Sequence, residues 1–269
     1  MLNDITLGQY YPVRSVIHKL DPRVKIVLTL FIMVILFTAK GVFSYVLVAL
    51  FVILSIILSR VPPYFIFRGL KPLWFIVVFT AAINIFLTDG EIWFEIGFLK
   101  ATYQGLNMAV MMVVRLMLLV TVTTLLTLTT SPIMLTDGIE SLLKPLKKIK
   151  FPAHELAMMM TIALRFIPTL LEETDKIMNA QKARGADFST GSIIERGKAL
   201  VPVLIPLFVS AFRRADDLAV AMECRCYRGD DGRTRMTVLR FAARDYVLII
   251  GSIVFCALLI FANIYFSTI

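Results

Sequence analysis

Residues Glu155–Arg184 read ELAMMMTIALRFIPTLLEETDKIMNAQKAR. The first half is apolar and the second half is charged, with Glu155 in the first turn, where a helix dipole favours an acid. A helix of about 30 residues is near 45 Å long, so this one can start at membrane depth and leave it. Pro168 predicts a kink, because proline removes one backbone bond and crowds the preceding turn. The helix is expected to stop at Gly185. A second stretch, Gly197–Cys226 (GKALVPVLIPLFVSAFRRADDLAVAMECRC), repeats the order of apolar start and charged end. Ser192 and Glu195 form a capping box ahead of it, Pro202 and Pro206 predict early bends, and Gly229 marks its stop. Each helix ends on a basic tip: Lys182-Ala183-Arg184 in the first, Arg225 and Arg228 in the second. C-terminal capping accounts for either tip alone; two alike, on matched helices, call for more.

The rest of the chain fixes their surroundings. Of 269 residues, 58% are hydrophobic and the mean hydropathy is +0.82. Soluble domains use roughly 45–50% apolar residues, so the expected solvent is a bilayer. No apolar core precedes Val24, so no signal peptide is expected. Three cysteines make no disulfide framework. The net charge is +9, and Ser131–Arg244 holds 18 of 28 basic and 13 of 19 acidic residues. That segment is a polar block inside an apolar chain.

Spanning helices need about 20 apolar residues. Five windows qualify: Val24–Ala39, Phe43–Leu58, Trp74–Leu87, Gly105–Leu128 and Tyr246–Phe266. Turn signals separate the early ones: Lys40-Gly41, Val61-Pro62-Pro63 and Asp89-Gly90. Arg14, Lys19, Arg23 and Lys25 place the N-terminus in the cytoplasm by the positive-inside rule. Arg60, Arg68 and Lys71 return the second loop to that side, and Asp89, Glu91 and Glu95 suit the outside. The polar block is then cytoplasmic. Its first helix opens at Ser131-Pro132 and ends in the basic KPLKKIK.

Other candidates carry less. Arg115 lies inside the fourth span, where a charge costs at least about 2.5 kcal/mol; Asn84 or a carbonyl is its expected partner. Cys224 and Cys226 point to different sides of a helix and lack further ligands for a metal. His154-Glu155 has no second histidine four residues on, and no phosphate-binding G-x-x-x-x-G-K-[ST] loop occurs. Asp21-Pro22-Arg23 suits a helix start.

SVIHKLDPRVK, HELAMMMTIALRFIPTLLEE, AQKARGAD and AMECRCYRG together resemble the transmembrane coupling (T) component of energy-coupling factor transporters, which are vitamin and metal importers of the ATP-binding-cassette type. The likeness covers nearly the whole chain. The family carries two Ala-Arg-Gly signatures at coupling-helix tips. Ala183-Arg184-Gly185 matches the first, whereas Cys224-Arg225-Cys226 keeps only the arginine of the second. The resemblance implies two ATPase subunits, each receiving one arginine-tipped helix end, and a separate membrane S component that binds the substrate. It implies a non-catalytic subunit of the cell membrane, embedded in the lipid bilayer, without cofactor, metal or nucleic acid. Met108, Met111, Met112, Met117, Met158, Met159 and Met160 can offer an adaptable face to interchangeable S components, or simply fill an apolar interior. The expected architecture is an all-α integral membrane protein. It has four spans in 1–130, three cytoplasmic coupling helices in 131–244 and a C-terminal span in 245–269. Alternatives are a T subunit dedicated to cobalt, nickel or biotin, and an intramembrane lipid-modifying enzyme.

Overall fold

The computed structural model describes residues 10–39, 41–89, 91–96, 99–149, 151–188, 192–229, 239 and 241–266. Lys40 and Gly90, named above as turn residues, lie outside them. Two compact units result, one of Gly8–Ile139 with Leu239–Ile269 and one built on Glu140–Val238.

The first unit is a helical bundle. Helix α1 (Pro22–Thr38) starts as expected: the Asp21 carboxylate accepts from the Arg23 amide at 2.9 Å, and Pro22 takes the first helical position. Helix α2 (Val42–Ser59) ends on Arg60, whose φ of 55° is left-handed. The stretch from Arg60 to Lys71 was expected to be a loop. Instead Pro63–Leu70 forms helix α3, and one 3-10 turn, Lys71–Leu73, leads into α4 (Trp74–Leu87). Pro63 starts a helix as readily as it ends one, and Pro72, which has no N–H, tightens the junction without stopping it. The loop between α4 and α5 also holds a hairpin that nothing in the spans announced: β1 (Ile92–Ile96) pairs antiparallel with β2 (Leu99–Thr102). Helix α5 (Tyr103–Thr129) follows at once, because the Thr102 hydroxyl accepts from the Gly105 amide at 3.1 Å and donates to the Thr88 carbonyl at 2.8 Å. Helix α6 (Pro132–Leu143) and a 3-10 turn (Lys144–Ile149) come next, and α9 (Ala243–Phe266) closes the chain after α7 and α8, given below.

The bundle core lies among α1, α2, α5 and α9. Ile32, Leu36, Val48, Val52, Val122 and Leu259 are buried there, and close packing rather than removal from water is what such contacts contribute between helices in lipid. Met111 packs against this core, while Met108 and Met112 are exposed. Arg115 finds Tyr45, not Asn84. Its Nε donates to the Tyr45 hydroxyl at 2.9 Å and Nη2 shares the same oxygen, with the Phe37 ring 5.9 Å away. Asn84 donates to the carbonyl of Thr80, one turn back, at 2.8 Å. Helices α4 and α5 meet at Gly105, where a Cβ would fall 2.6 Å from the Asn84 carbonyl.

A buried polar cluster ties three chain segments at one end of the bundle. The Asp245 carboxylate, 1% exposed, accepts from the Asp21 amide at 2.9 Å and the Ala242 amide at 2.7 Å. Lys25 donates to the Thr129 carbonyl at 2.9 Å, and Arg23 to the Leu239 carbonyl at 3.0 Å. Beside it, His18 Nε2 meets the Tyr11 carbonyl at 2.9 Å and Nδ1 meets the Ser15 hydroxyl at 2.7 Å. Nε2–H then donates and Nδ1 accepts, the neutral tautomer. Burial pushes the His18 pKa below its ordinary value, outweighing the upward pull of the Tyr11 carbonyl.

Four helical stretches among the described residues are long and apolar enough to cross a membrane: Val42–Ser59, Pro63–Leu87, Tyr103–Thr129 and Ala153–Ala183. The first and fifth expected spans fold as helices α1 and α9, of 17 and 24 residues, but are not among these four, whereas Ala153–Ala183, expected within the cytoplasmic block, is. The protein is a multi-pass membrane protein, helical apart from one hairpin among the described residues.

Candidate functional site

The second unit is a pair of long helices. Helix α7 (Ala153–Ala183) and helix α8 (Ile193–Glu223) each run 31 residues, without interruption at Pro168 or at Pro202 and Pro206. The capping box is formed, with the Ser192 amide donating to Glu195 at 2.9 Å. The two helices are antiparallel, because three ties pair early residues with late ones. Gln181 Nε2 donates to the Pro202 carbonyl at 3.3 Å. Glu173 binds Arg214 Nη2 at 2.8 Å and accepts from the Ser210 hydroxyl. The Tyr227 hydroxyl reaches Met158 Sδ at 3.0 Å. The Gln181 tie has a backbone cause. Pro206 has no N–H to offer the carbonyl four residues back, so Pro202 is left with an orphan acceptor that a side chain of the other helix meets.

Antiparallel pairing sends the two arginine tips to opposite ends of the pair. Each helix is about 46 Å long at 1.5 Å per residue, so the tips stand on the order of 40 Å apart. The tips are built alike. At the end of α7 the Arg184 amide donates to Gln181 at 3.1 Å, Gly185 to Lys182 at 3.0 Å, and Ala186 to Gln181 at 3.0 Å. At the end of α8 the Arg225 amide donates to Met222 at 3.1 Å, Cys226 to Glu223 at 2.8 Å, and Tyr227 to Met222 at 3.1 Å. Both are Schellman closures, which need a left-handed residue just past the helix. Gly185 supplies it at φ 91° and Cys226 at φ 55°. The second signature thus loses its glycine and keeps its backbone, and a cysteine there carries strain of about 1–2 kcal/mol.

Ala183, Arg184, Gly185, Cys224, Arg225 and Cys226 are all exposed. The Arg184 and Arg225 guanidinium groups make no ion pair within the described chain. An always-charged planar fork held on a closed helix end suits carboxylates or carbonyls of another surface. The sequence pattern brought each triplet to a tip, and the structure sets the two tips far apart. It did not expose Gln181, Glu173, Ser210 or Arg214 as the braces between helices. The one available signal was Pro206, whose missing N–H demanded a donor for residue 202. Helix α8 also carries an unpartnered apolar stripe, Leu200, Leu204, Ile205, Phe208, Val209 and Phe212, all exposed. The spacing of three and four puts them on one face. Among the described residues, no group of three or more His, Cys, Asp or Glu is placed to hold a metal.

The family model described as "Cobalt transport protein", CbiQ, matches residues 13–236. An energy-coupling factor transporter transmembrane protein of Ruminiclostridium cellulolyticum is 57% identical over 93% of this chain and 94% of its own. Its counterpart in Clostridium kluyveri is 54% identical over 99% of this chain and 100% of its own. That of Bacillus subtilis is 51% identical over 97% and 99%. With the coverage this complete and the arginine tips built alike, the chain belongs to the CbiQ family and, within it, to the energy-coupling factor transporter transmembrane proteins.

Proposed function

We propose that the α7–α8 pair couples two ATP-binding-cassette ATPases to a membrane S component, one ATPase receiving Arg184 and the other Arg225. The observation that carries this reading is the repeated tip geometry: three matching hydrogen bonds, a left-handed closing residue and an exposed arginine at each end of one braced pair. Two handles of matching backbone geometry fit two related receivers. The apolar stripe on α8 and the exposed Met159 and Met160 are the surface on which an apolar partner of the S-component kind would bear. Sidedness follows from charge: the basic segments before α1 and after α2, and the polar block, lie in the cytoplasm with the N-terminus. ATP hydrolysis then belongs to the partners, and this chain carries displacement.

The test is Arg184→Ala with Arg225→Ala. The tips are exposed, so the chain should insert and accumulate normally, while ATPase copurification and ATP-driven uptake fall. Losing a charged hydrogen bond at each end costs about 1.5–3 kcal/mol apiece, which is at least about tenfold in affinity per tip. Undiminished uptake at wild-type protein level would refute the assignment. The description of the family model as a cobalt transport protein favours a second reading, a dedicated metal importer. It uses the same tips, and the S component that copurifies separates the two.

A further inference from the structure

An open pocket of about 430 Å³ lies at one end of the bundle, and four cations line it: Arg14, Lys19, Arg60 and Arg244. All four are exposed, and none has a side-chain hydrogen bond or ion pair among the described residues. Among the described residues, no acid lines the pocket. Both oxygens of Asp245, the residue after Arg244, are already committed to backbone amides, and the Ser15 hydroxyl in the wall is committed to His18. Four like charges gathered at one place repel unless something brings compensating negative charge. Arginine sets the preference, since its planar fork pairs with phosphate oxygens two at a time.

The position of the pocket says what carries the phosphate. Lys19 precedes α1, Arg60 follows α2 and Arg244 lies in the first turn of α9, so the cations ring one end of three membrane helices. The same wall exposes carbon: Ile57 and Leu58 in the last turn of α2 are 67% and 46% exposed, and Val16 is 50% exposed. A pocket lined both by cations and by exposed carbon suits a headgroup with its chains attached. A small soluble anion would leave the apolar wall in water. We infer that this pocket binds the phosphate of an anionic phospholipid.

The experiment uses the full chain with its copurifying subunits in mixed phosphatidylcholine and phosphatidylglycerol vesicles. Each lipid in turn carries a diazirine near the headgroup end of one chain. The phosphatidylglycerol probe is expected to label peptides holding Val16 and Ile57 more strongly than the phosphatidylcholine probe. Arg60→Asn with Arg244→Gln removes that preference at least about fivefold, since each basic residue near the surface contributes about that factor. Asparagine is chosen because it tolerates the left-handed backbone at residue 60. Arg68→Gln with Lys71→Gln removes as much charge from outside the pocket and is expected to change nothing. If the first pair does not assemble, Arg14→Gln with Lys19→Gln in the N-terminal segment serves in its place. Equal labelling by the two lipids overturns the inference. So does an equal loss in the Arg68/Lys71 control, which would mean bulk charge alone. Displacement of the probe by millimolar inorganic phosphate would make this a soluble-anion site and equally overturn the lipid assignment.

Discussion

Asp245→Ala is the most informative perturbation of the bundle. The carboxylate is 1% exposed and is the acceptor for the amides of Asp21 and Ala242. Alanine leaves both N–H groups buried without a partner, at about 1–3 kcal/mol each. It also removes one of two acids facing Lys25 and Arg23 in a cluster that is otherwise neutral. The expected loss is about 4 kcal/mol, the middle of the range that two orphaned donors span. At about 2–4 °C per kcal/mol for a chain of this size, the melting midpoint drops roughly 10 °C. Asp245→Asn keeps one acceptor oxygen and should lose about half as much. Fluorescence-detected size exclusion after heating the full chain in detergent reads both. An Asp245→Ala midpoint within about 2 °C of wild type, less than 1 kcal/mol, would show that the cluster does not hold α9 to α1, and the reasoning would be wrong.

Gly105→Ala should destabilise by more than about 2 kcal/mol, as overpacking does, because the new Cβ meets the Asn84 and Ile85 carbonyls at 2.6 and 3.0 Å. Gly197→Ala, with nothing within 4 Å, should gain up to about 1 kcal/mol of helix propensity in the same melts. Cys226→Gly should steady the end of α8 and Gly185→Ala should loosen the end of α7, each by about 1 kcal/mol. Hydrogen exchange at 222–227 and 180–186 should therefore move in opposite directions, and movement in the same direction would refute the strain account. His18 has a folded pKa below that of the unfolded chain, which lies near 6.5, so the unfolded chain takes up the proton first as pH falls. The stability that His18 supplies is complete above about pH 6.5 and is lost through the folded pKa. His18→Gln should flatten that acid limb in melts across the range, and an unchanged limb would exclude His18.

The bilayer helices were legible because an apolar run of spanning length has few other uses. Two helices of the polar block were legible because Ser131, Ser192 and Glu195 are cap residues in cap positions, and the third because Pro152 and Glu155 suit a first turn. What escaped is instructive. Proline and charge between α2 and α4 looked like a loop, yet Pro63 opens a helix and Pro72 only narrows one. The short strands sit where acids read as an outer loop, and strand alternation over five residues is too brief to stand out. Asp21 and Asp245 are 224 residues apart, and Arg115 and Tyr45 are 70 apart; no local period reports such pairs. Cys226 is a left-handed residue that its side chain does not advertise. Only its register against Gly185 could have revealed it.

The bracing of α7 against α8 at Gln181, at Glu173 and at Met158 makes the pair a single beam with a handle at each end. Under the proposed coupling, equal pulls on both handles shift such a beam sideways without turning it, whereas unequal pulls make it rock. Its two handles are chemically unequal, glycine closing one and a strained cysteine the other. In that proposal two ATPases each grip their own end, and a difference in their timing becomes a tilt.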